Sequence, residues 1–392
     1  MSNFKDLDAL LQELVDRGPV PGMGMAVAKD GEILYEGYCG LADVKSGTPV
    51  TEKTVYRQFS NTKVALYTAA MMLFEKGKFL LNDPLYEYFP EWRHVNKFVY
   101  RPNGQADVVP TEGPVEIRHI LSMTCGLSYG RANAPRTDNP MQNAMNDMET
   151  RLAAKGPYTL REEIRQAATV PQAFEPGTHW QYGFCSELTA GLIEVITGKR
   201  IWDAMKDLIT DPLDMKDTAM HYFGDIQSRM ATLYSLTPDG KIEDRGSEIY
   251  DRKNTGKPEY EGGCPRFFST VRDYVNLTQM LANGGVFRGE RIMGRKTIDM
   301  MRQNQLCPAA LSEFRDKYLA GYGYGCGVRT MMDLSGGANT SIGEFGWTGA
   351  SGTYVSIDPQ ERVSVVYMHQ MQPNMELYYH HRIRNVAYGC IE

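Results

Sequence analysis

No run of 18 apolar residues occurs anywhere in the 392-residue chain, so no segment is long and greasy enough to cross a bilayer as a helix. Blocks of like charge are missing too. Lys and Arg (42) are scattered and outnumbered by Asp and Glu (48), which leaves a net charge of −6. A nucleic-acid binder needs a basic face, so that class is excluded. Cysteine is present without a pattern. Cys39, Cys125, Cys185, Cys264, Cys307, Cys326 and Cys390 are odd in number, widely spaced and free of CxxC pairs, which argues against a disulfide framework or a zinc site. The seven histidines contain no HExxH, and the neighbours His380-His381 point different ways on any regular element. No metal and no organic cofactor is therefore expected. A secretory leader is missing as well: residues 1–17 are charged and amphipathic, with Leu7, Leu10, Leu11, Leu14 and Val15 at helical spacing. The expectation is a cytoplasmic protein with no membrane association. What remains is ordinary for a globular chain, 42% apolar and 23% charged, large enough for a substantial core in one or two domains.

Against that plain background, Ser60-Asn61-Thr62-Lys63 stands out. It follows the strand-like Thr54–Phe59 and opens an apolar helical run from Thr62 to about Gly77. A serine hydroxyl is a poor nucleophile until a neighbouring base takes its proton. Residues i and i+3 share a helix face, so Lys63 can reach Ser60. Burial disfavours the charged form of an amine, which lets a buried lysine accept that proton. A strand-to-helix turn also leaves backbone N–H groups available to a substrate. The spacing alone is weak, since Ser2-Asn3-Phe4-Lys5 has it too. An ordinary N-cap serine explains Ser60 equally well from local context.

Elsewhere, periodicity divides the chain into recognisable elements. Gly22–Ala28 and Glu32–Tyr38 read as two strands joined by the turn Lys29-Asp30-Gly31, a hairpin signal. The segments 93–114 and 128–157 carry many Pro, Gly and polar residues and predict loop, with a helix around 139–155 in the second. Ile117–Thr124, Leu160–Ala168, Ser186–Thr197 (stopped by Gly198) and Thr270–Asn283 predict helices. Residues 225–262 alternate polar and strand-like stretches. Tyr322–Thr330, Glu344–Trp347, Gly352–Asp358 and Arg362–His369 predict strands, and Asn374–Tyr388 a closing helix. Strands at both ends with helices between predict an α+β fold, in which N- and C-terminal strands share an antiparallel sheet flanked by helices and the middle forms a mostly helical lobe. The lobes would span roughly 1–60 with 265–392, and 61–264. No internal repeat is visible.

Taken in order, several segments give the chain a family likeness. Pro21-Gly22-Met23-Gly24, Phe59-Ser60-Asn61-Thr62-Lys63, the stretch Ile117 to Leu127 (similar to "HLLSHTSGL"), Phe174-Glu175-Pro176-Gly177 leading to Tyr182, the helix ending Thr197-Gly198-Lys199, Leu213 to Thr218, and Ser269-Thr270 with Gly284-Gly285 all fit. The chain resembles the serine β-lactamase and penicillin-binding-protein superfamily, and within it the class C β-lactamase-like esterases and D-aminopeptidases. The resemblance covers about residues 10–385. It implies Ser60 as acylated nucleophile, Lys63 as its base, and Tyr182 as the tyrosine that passes protons to the leaving group and later activates water. It implies an oxyanion hole from the Ser60 and Ala350 backbone N–H groups. Trp347-Thr348-Gly349, where the family carries K-T-G or a variant, would flank the substrate.

Two departures bear on substrate. Phe184 stands where lactamases have the Asn that holds the substrate amide, and is expected at the substrate. Trp347 replaces the K-T-G cation, and an apolar residue offers a substrate carboxylate no charged partner. The expected function is cleavage of a small-molecule ester or amide through a Ser60 acyl-enzyme, by a carboxylesterase or a related acyltransferase. The alternatives are a D-aminopeptidase or amidase, a β-lactamase, or a non-catalytic binding protein of the same fold. The sequence neither requires nor excludes a homo-oligomer.

Overall fold

Two segments distant in sequence build one sheet. The computed structural model describes residues 3–102, 105–245, 260–262, 267–315 and 320–391. Strands Gly22–Lys29 and Glu32–Asp43 form the first hairpin. The free edge of Gly22–Lys29 takes up Val363–His369, antiparallel, from Met23 opposite His369 to Lys29 opposite Val363. The sheet continues through Tyr354–Asp358, Phe345–Gly346 and Arg329–Met331 to Tyr322–Tyr324, and ends on the other side at Thr48–Pro49, eight strands in all. The expected α+β architecture, with its terminal strands in one antiparallel sheet, is the one found.

The two central strands are buried along nearly their whole length, so the sheet must be covered on both faces. Their side chains alternate between two cores, as the two-residue repeat of a strand requires. Met23, Met25, Val27, Val365 and Tyr367 meet Leu7, Leu11 and Leu14 of helix Lys5–Arg17 and Tyr379, Ile383 and Ala387 of helix Glu376–Gly389. Ala26, Ala28, Val366 and Met368 face the larger core, with helices Val271–Ala282 and Thr62–Glu75. Helix Thr62–Glu75 buries 12 of its 14 residues. A helix apolar all round belongs in a protein interior, and this one runs through the middle of the molecule. Helix Cys185–Thr197 lies against it and ends at Gly198, whose φ of +67° suits glycine.

Two expectations need correction. Residues 93–114 are not simply loop: Asn96–Tyr100 and Ala106–Pro110 form a hairpin. Its strands are short, and Pro110 forms the end of the second, which masks the alternation. Tyr322–Thr330 is two strands rather than one, Tyr322–Tyr324 and Arg329–Met331, broken around Gly325–Gly327. Gly327 has a φ of +74°, and a Cβ added there would lie 2.0 Å from the Tyr67 ring, so only glycine lets this turn sit on the helix. The helix expected near 139–155 runs from Pro140 to Ala153, capped by the Asn139 side chain. Of residues 225–262, Tyr234–Leu236 and Ile242–Asp244 are strands. The part at 246–259, like Cys264, lies outside the described residues.

Asp273, in the first turn of helix Val271–Ala282, ties that helix to the segment before it. Its carboxylate accepts from the Asp217 N–H at 2.7 Å and the Thr218 hydroxyl at 2.9 Å. Burial nevertheless pushes its carboxyl up to about 6. An acid that binds its proton more tightly folded than unfolded contributes stability in full below its unfolded pKa, and loses it as pH rises through the folded value. Asp273→Asn should remove that dependence. The stability of the variant relative to wild type, read from melting curves, should therefore rise by about 2 kcal/mol between pH 4 and pH 7. A constant difference across that range would contradict this.

Candidate active site

The turn before the long helix is pinned from several sides. Tyr56–Arg57 pairs with Phe268–Ser269 as a short antiparallel ladder. The Gln370 side chain then clasps Arg57, accepting from its N–H at 3.2 Å and donating to its carbonyl at 3.1 Å. Phe59 takes a φ of +46°, a left-handed conformation uncommon for an aromatic residue. Such strain persists only where surrounding contacts over-determine it. A single 3₁₀ turn, Phe59–Asn61, leads into helix Thr62–Glu75. Asn61 donates to the Gln58 side chain at 3.0 Å, and its carbonyl accepts from the Tyr274 hydroxyl at 2.5 Å. The helix start has no side-chain cap, so Ser60 is not a capping serine.

Ser60 is half-buried and Lys63 fully buried. Lys63 Nζ donates to Ser60 Oγ at 3.3 Å. The same Nζ lies 4.7 Å from the centre of the Tyr182 ring and 5.5 Å from that of Tyr129. Tyr129 was not anticipated, although it stands two residues after the Gly126-Leu127 pair that supports the family likeness. It meets Tyr182 edge-on at 6.1 Å and its hydroxyl bonds Ser186 Oγ at 2.7 Å. The loops carrying these tyrosines are stitched together. Gln181 N–H donates to Met123 O and Phe184 N–H to Leu127 O. Gly183 approaches Ser128 so closely that a Cβ would lie 2.5 Å from its Cα.

Trp347 closes the opposite side. Its ring stacks on Tyr182 with centres 5.7 Å apart and planes 23° apart, and its indole N–H donates to Tyr182 Oη at 3.2 Å. Trp180 and Tyr324 extend the aromatic wall, at 5.9 Å from Tyr182 and 5.3 Å from Trp347 respectively. Thr348 bridges to Tyr354, and Gly349 to Gly352 form a tight loop closed by Gly349 N–H to Thr353 O at 2.7 Å and Gly352 N–H to Gly349 O at 3.0 Å. Ala350 is exposed in this loop. The loop is fastened to the nucleophile turn: Thr353 Oγ1 donates to Gln58 O at 2.9 Å, and a Cβ on Gly349 would lie only 2.4 Å from the same carbonyl.

Charge around the loop is muted. His369 and His380 are buried beneath it, and His380 Nε2 lies 3.3 Å from Gly352 O. Burial lowers His369 to about 3 and drives His380 well down, so both rings are neutral near pH 7. One carboxylate does reach the segment. Glu376 Oε2 accepts from Thr348 Oγ1 at 2.6 Å, a placement that sequence could not give because the two residues are 28 positions apart.

The structure thus gathers Ser60, Lys63 and Tyr182 with Trp347, Thr348, Gly349 and Ala350. Phe184 is the exception and a correction. Its side chain is 1% exposed within the main core, because the residue leads into the buried helix Cys185–Thr197, and it offers no face to a substrate. Among the described residues, no group of three or more His, Cys, Asp or Glu side chains is arranged to hold a metal ion. No helix among them is long and apolar enough to cross a membrane.

Comparison with known proteins matches residues 7–388 to the family described as Beta-lactamase. Esterase EstB of Burkholderia gladioli is 30% identical over 211 residues, 54% of this chain and 50% of that protein. Among solved structures, simvastatin synthase (LovD) from Aspergillus terreus superposes with a TM-score of 0.82 at 19% identity, over 99% of both chains. EstCE1, described as a hydrolase with promiscuous acyltransferase activity, gives a TM-score of 0.79 at 22% identity over 98% of both.

The Gln58–Gly349 contact can be tested directly. Gly349→Ala forces the loop away from the nucleophile turn, and small displacements at a reacting centre are costly. Labelling of Ser60 by a fluorophosphonate should slow by about tenfold or more, with the circular dichroism spectrum retained. Labelling at the wild-type rate would show that the close approach is not needed.

Proposed function

The chain belongs to the Beta-lactamase family, and we propose that it is a serine hydrolase of small esters or amides, an esterase or related acyltransferase, working through an acyl-enzyme on Ser60. The observation that carries this reading is the 3.3 Å contact between Lys63 Nζ, wholly buried, and Ser60 Oγ. Lys63, with Tyr182, takes the Ser60 proton as Oγ attacks the substrate carbonyl. The oxyanion is met by the Ser60 and Ala350 amides, and losing one such donor typically costs about 3–4 kcal/mol of transition-state stabilisation. Tyr182 passes a proton to the leaving alcohol or amine. Water, or an acceptor alcohol or amine, then attacks the ester carbonyl and releases Ser60.

The Trp347 indole N–H is part of this reading. It donates to Tyr182 Oη and so steadies the oxygen whenever that oxygen has given up its proton. The same residue supplies apolar surface where a substrate carboxylate would need a cation. That favours neutral acyl substrates over β-lactams and peptides ending in a free carboxylate. The name of esterase EstB agrees with ester cleavage, and the description of EstCE1 as a hydrolase with promiscuous acyltransferase activity agrees with hydrolysis and acyl transfer.

Intact-mass spectrometry tests the reading. Incubation with a short-chain p-nitrophenyl ester, a D-amino-acid amide, a penicillin or a fluorophosphonate should add mass to wild type and not to Ser60→Ala, with turnover greatest on the ester. No Ser60-dependent adduct from any of the four would refute it. Ester turnover should also fall toward acid pH as the base that receives the Ser60 proton becomes protonated. A flat rate between pH 5 and 9 would count against a Lys63–Tyr182 base.

A further inference from the structure

Glu376 is half-buried against the segment that borders the cleft, and nothing in the proposed cycle uses it. Its Oε2 accepts from the Thr348 hydroxyl at 2.6 Å, while among the described residues Oε1 has no protein partner and no Lys or Arg pairs with the carboxylate. Arg382, further along the same helix, is held over the Tyr378 ring at 3.7 Å and donates to the Tyr378 carbonyl instead. A carboxylate partly removed from water without a counter-charge is costly, and a cation placed beside it recovers that cost.

Its position is fixed. Asn374 Nδ2 donates to Gly349 O at 3.2 Å, tying the start of helix Glu376–Gly389 to the loop beside the nucleophile turn. Met375 holds a φ of +52° to make the bend into that helix. Direction follows from the neighbouring residue. Trp347 Nε1 touches Tyr182 Oη, the oxygen that hands a proton to the leaving group in the proposed cycle. The next residue is Thr348, and Glu376 is on its hydroxyl. The carboxylate therefore sits one residue along the segment from the ring that meets the proton-donating oxygen. Aromatic faces beside a carboxylate suit an organic cation. Leu377, the next residue of the helix, is 65% exposed and leaves apolar surface for its hydrocarbon part.

We propose that Glu376 forms a cation subsite on the leaving-group side, and that the substrates are esters or amides whose leaving alcohol or amine carries an ammonium group. This rests on the serine-hydrolase reading for its direction, and not for its charge. A carboxylate in a first helical turn also complements the helix dipole. That role would affect all substrates alike, which separates it from recognition.

Butyrylthiocholine and 3,3-dimethylbutyl thiobutyrate have the same shape and differ in charge. The released thiol reports the kcat/KM of each. Wild type should favour the cation by about fivefold or more, Glu376→Gln should bring the ratio near unity, and Glu376→Lys should invert it. A wild-type ratio within twofold of unity, or one that survives Glu376→Gln, overturns the inference. If neither thioester is cleaved, the hydrolase reading is at fault, and binding decides the subsite alone. Calorimetry on Ser60→Ala should then show choline bound more tightly than 3,3-dimethyl-1-butanol, with the preference lost when Glu376→Gln is added. Equal binding, or binding of neither, overturns it.

Discussion

Lys63 places an amine at the centre of the molecule with its side chain removed from solvent, and the surrounding architecture is arranged to hold Ser60 against it. The helix that carries it is buried on nearly every side, flanked by the sheet's inner core and helix Cys185–Thr197. Desolvation of an ionisable group is tolerated where its neighbours compensate, and such groups concentrate at reactive sites. Here the neighbours are the Ser60 hydroxyl and the rings of Tyr182 and Tyr129.

The sheet serves that arrangement by closing the chain on itself. Because Gly22–Lys29 pairs with Val363–His369, the C-terminal strands are fixed relative to the N-terminal third that contains the nucleophile turn. Gln370, just past the last long strand, clasps Arg57, and Thr353 holds the Gln58 carbonyl. Residues separated by about three hundred positions are thereby in direct hydrogen-bonded contact on either side of Ser60. A site built on strand ends and a helix start keeps its geometry better than one carried on long loops.

Much of this was legible in the sequence, for identifiable reasons. The short, nearly continuous apolar stretches within Gly22–Ala28 and Arg362–His369 marked the central strands, and the apolar run after Ser60 marked the buried helix. Periodicity could not give direction. The family resemblance put Phe184 at the substrate, yet that side chain turns into the core. Tyr129 and Glu376 went unnoticed because a lone Tyr or Glu has no local signature, and each acquires its place only when distant loops meet. The hairpin at 96–110 was hidden for a different reason: its partly exposed strands lack a buried face to impose a clean pattern.

The central claim is that the Lys63 amine activates Ser60. The most direct test is the rate of Ser60 modification by a fluorophosphonate in wild type and in Lys63→Met, a substitution that keeps an unbranched stem as far as Cε and removes the nitrogen. General-base assistance of this kind is worth roughly 10²–10⁴ in rate. The account predicts that Lys63→Met remains folded and labels slower by about a hundredfold or more. Labelling of a folded Lys63→Met at the wild-type rate would contradict it.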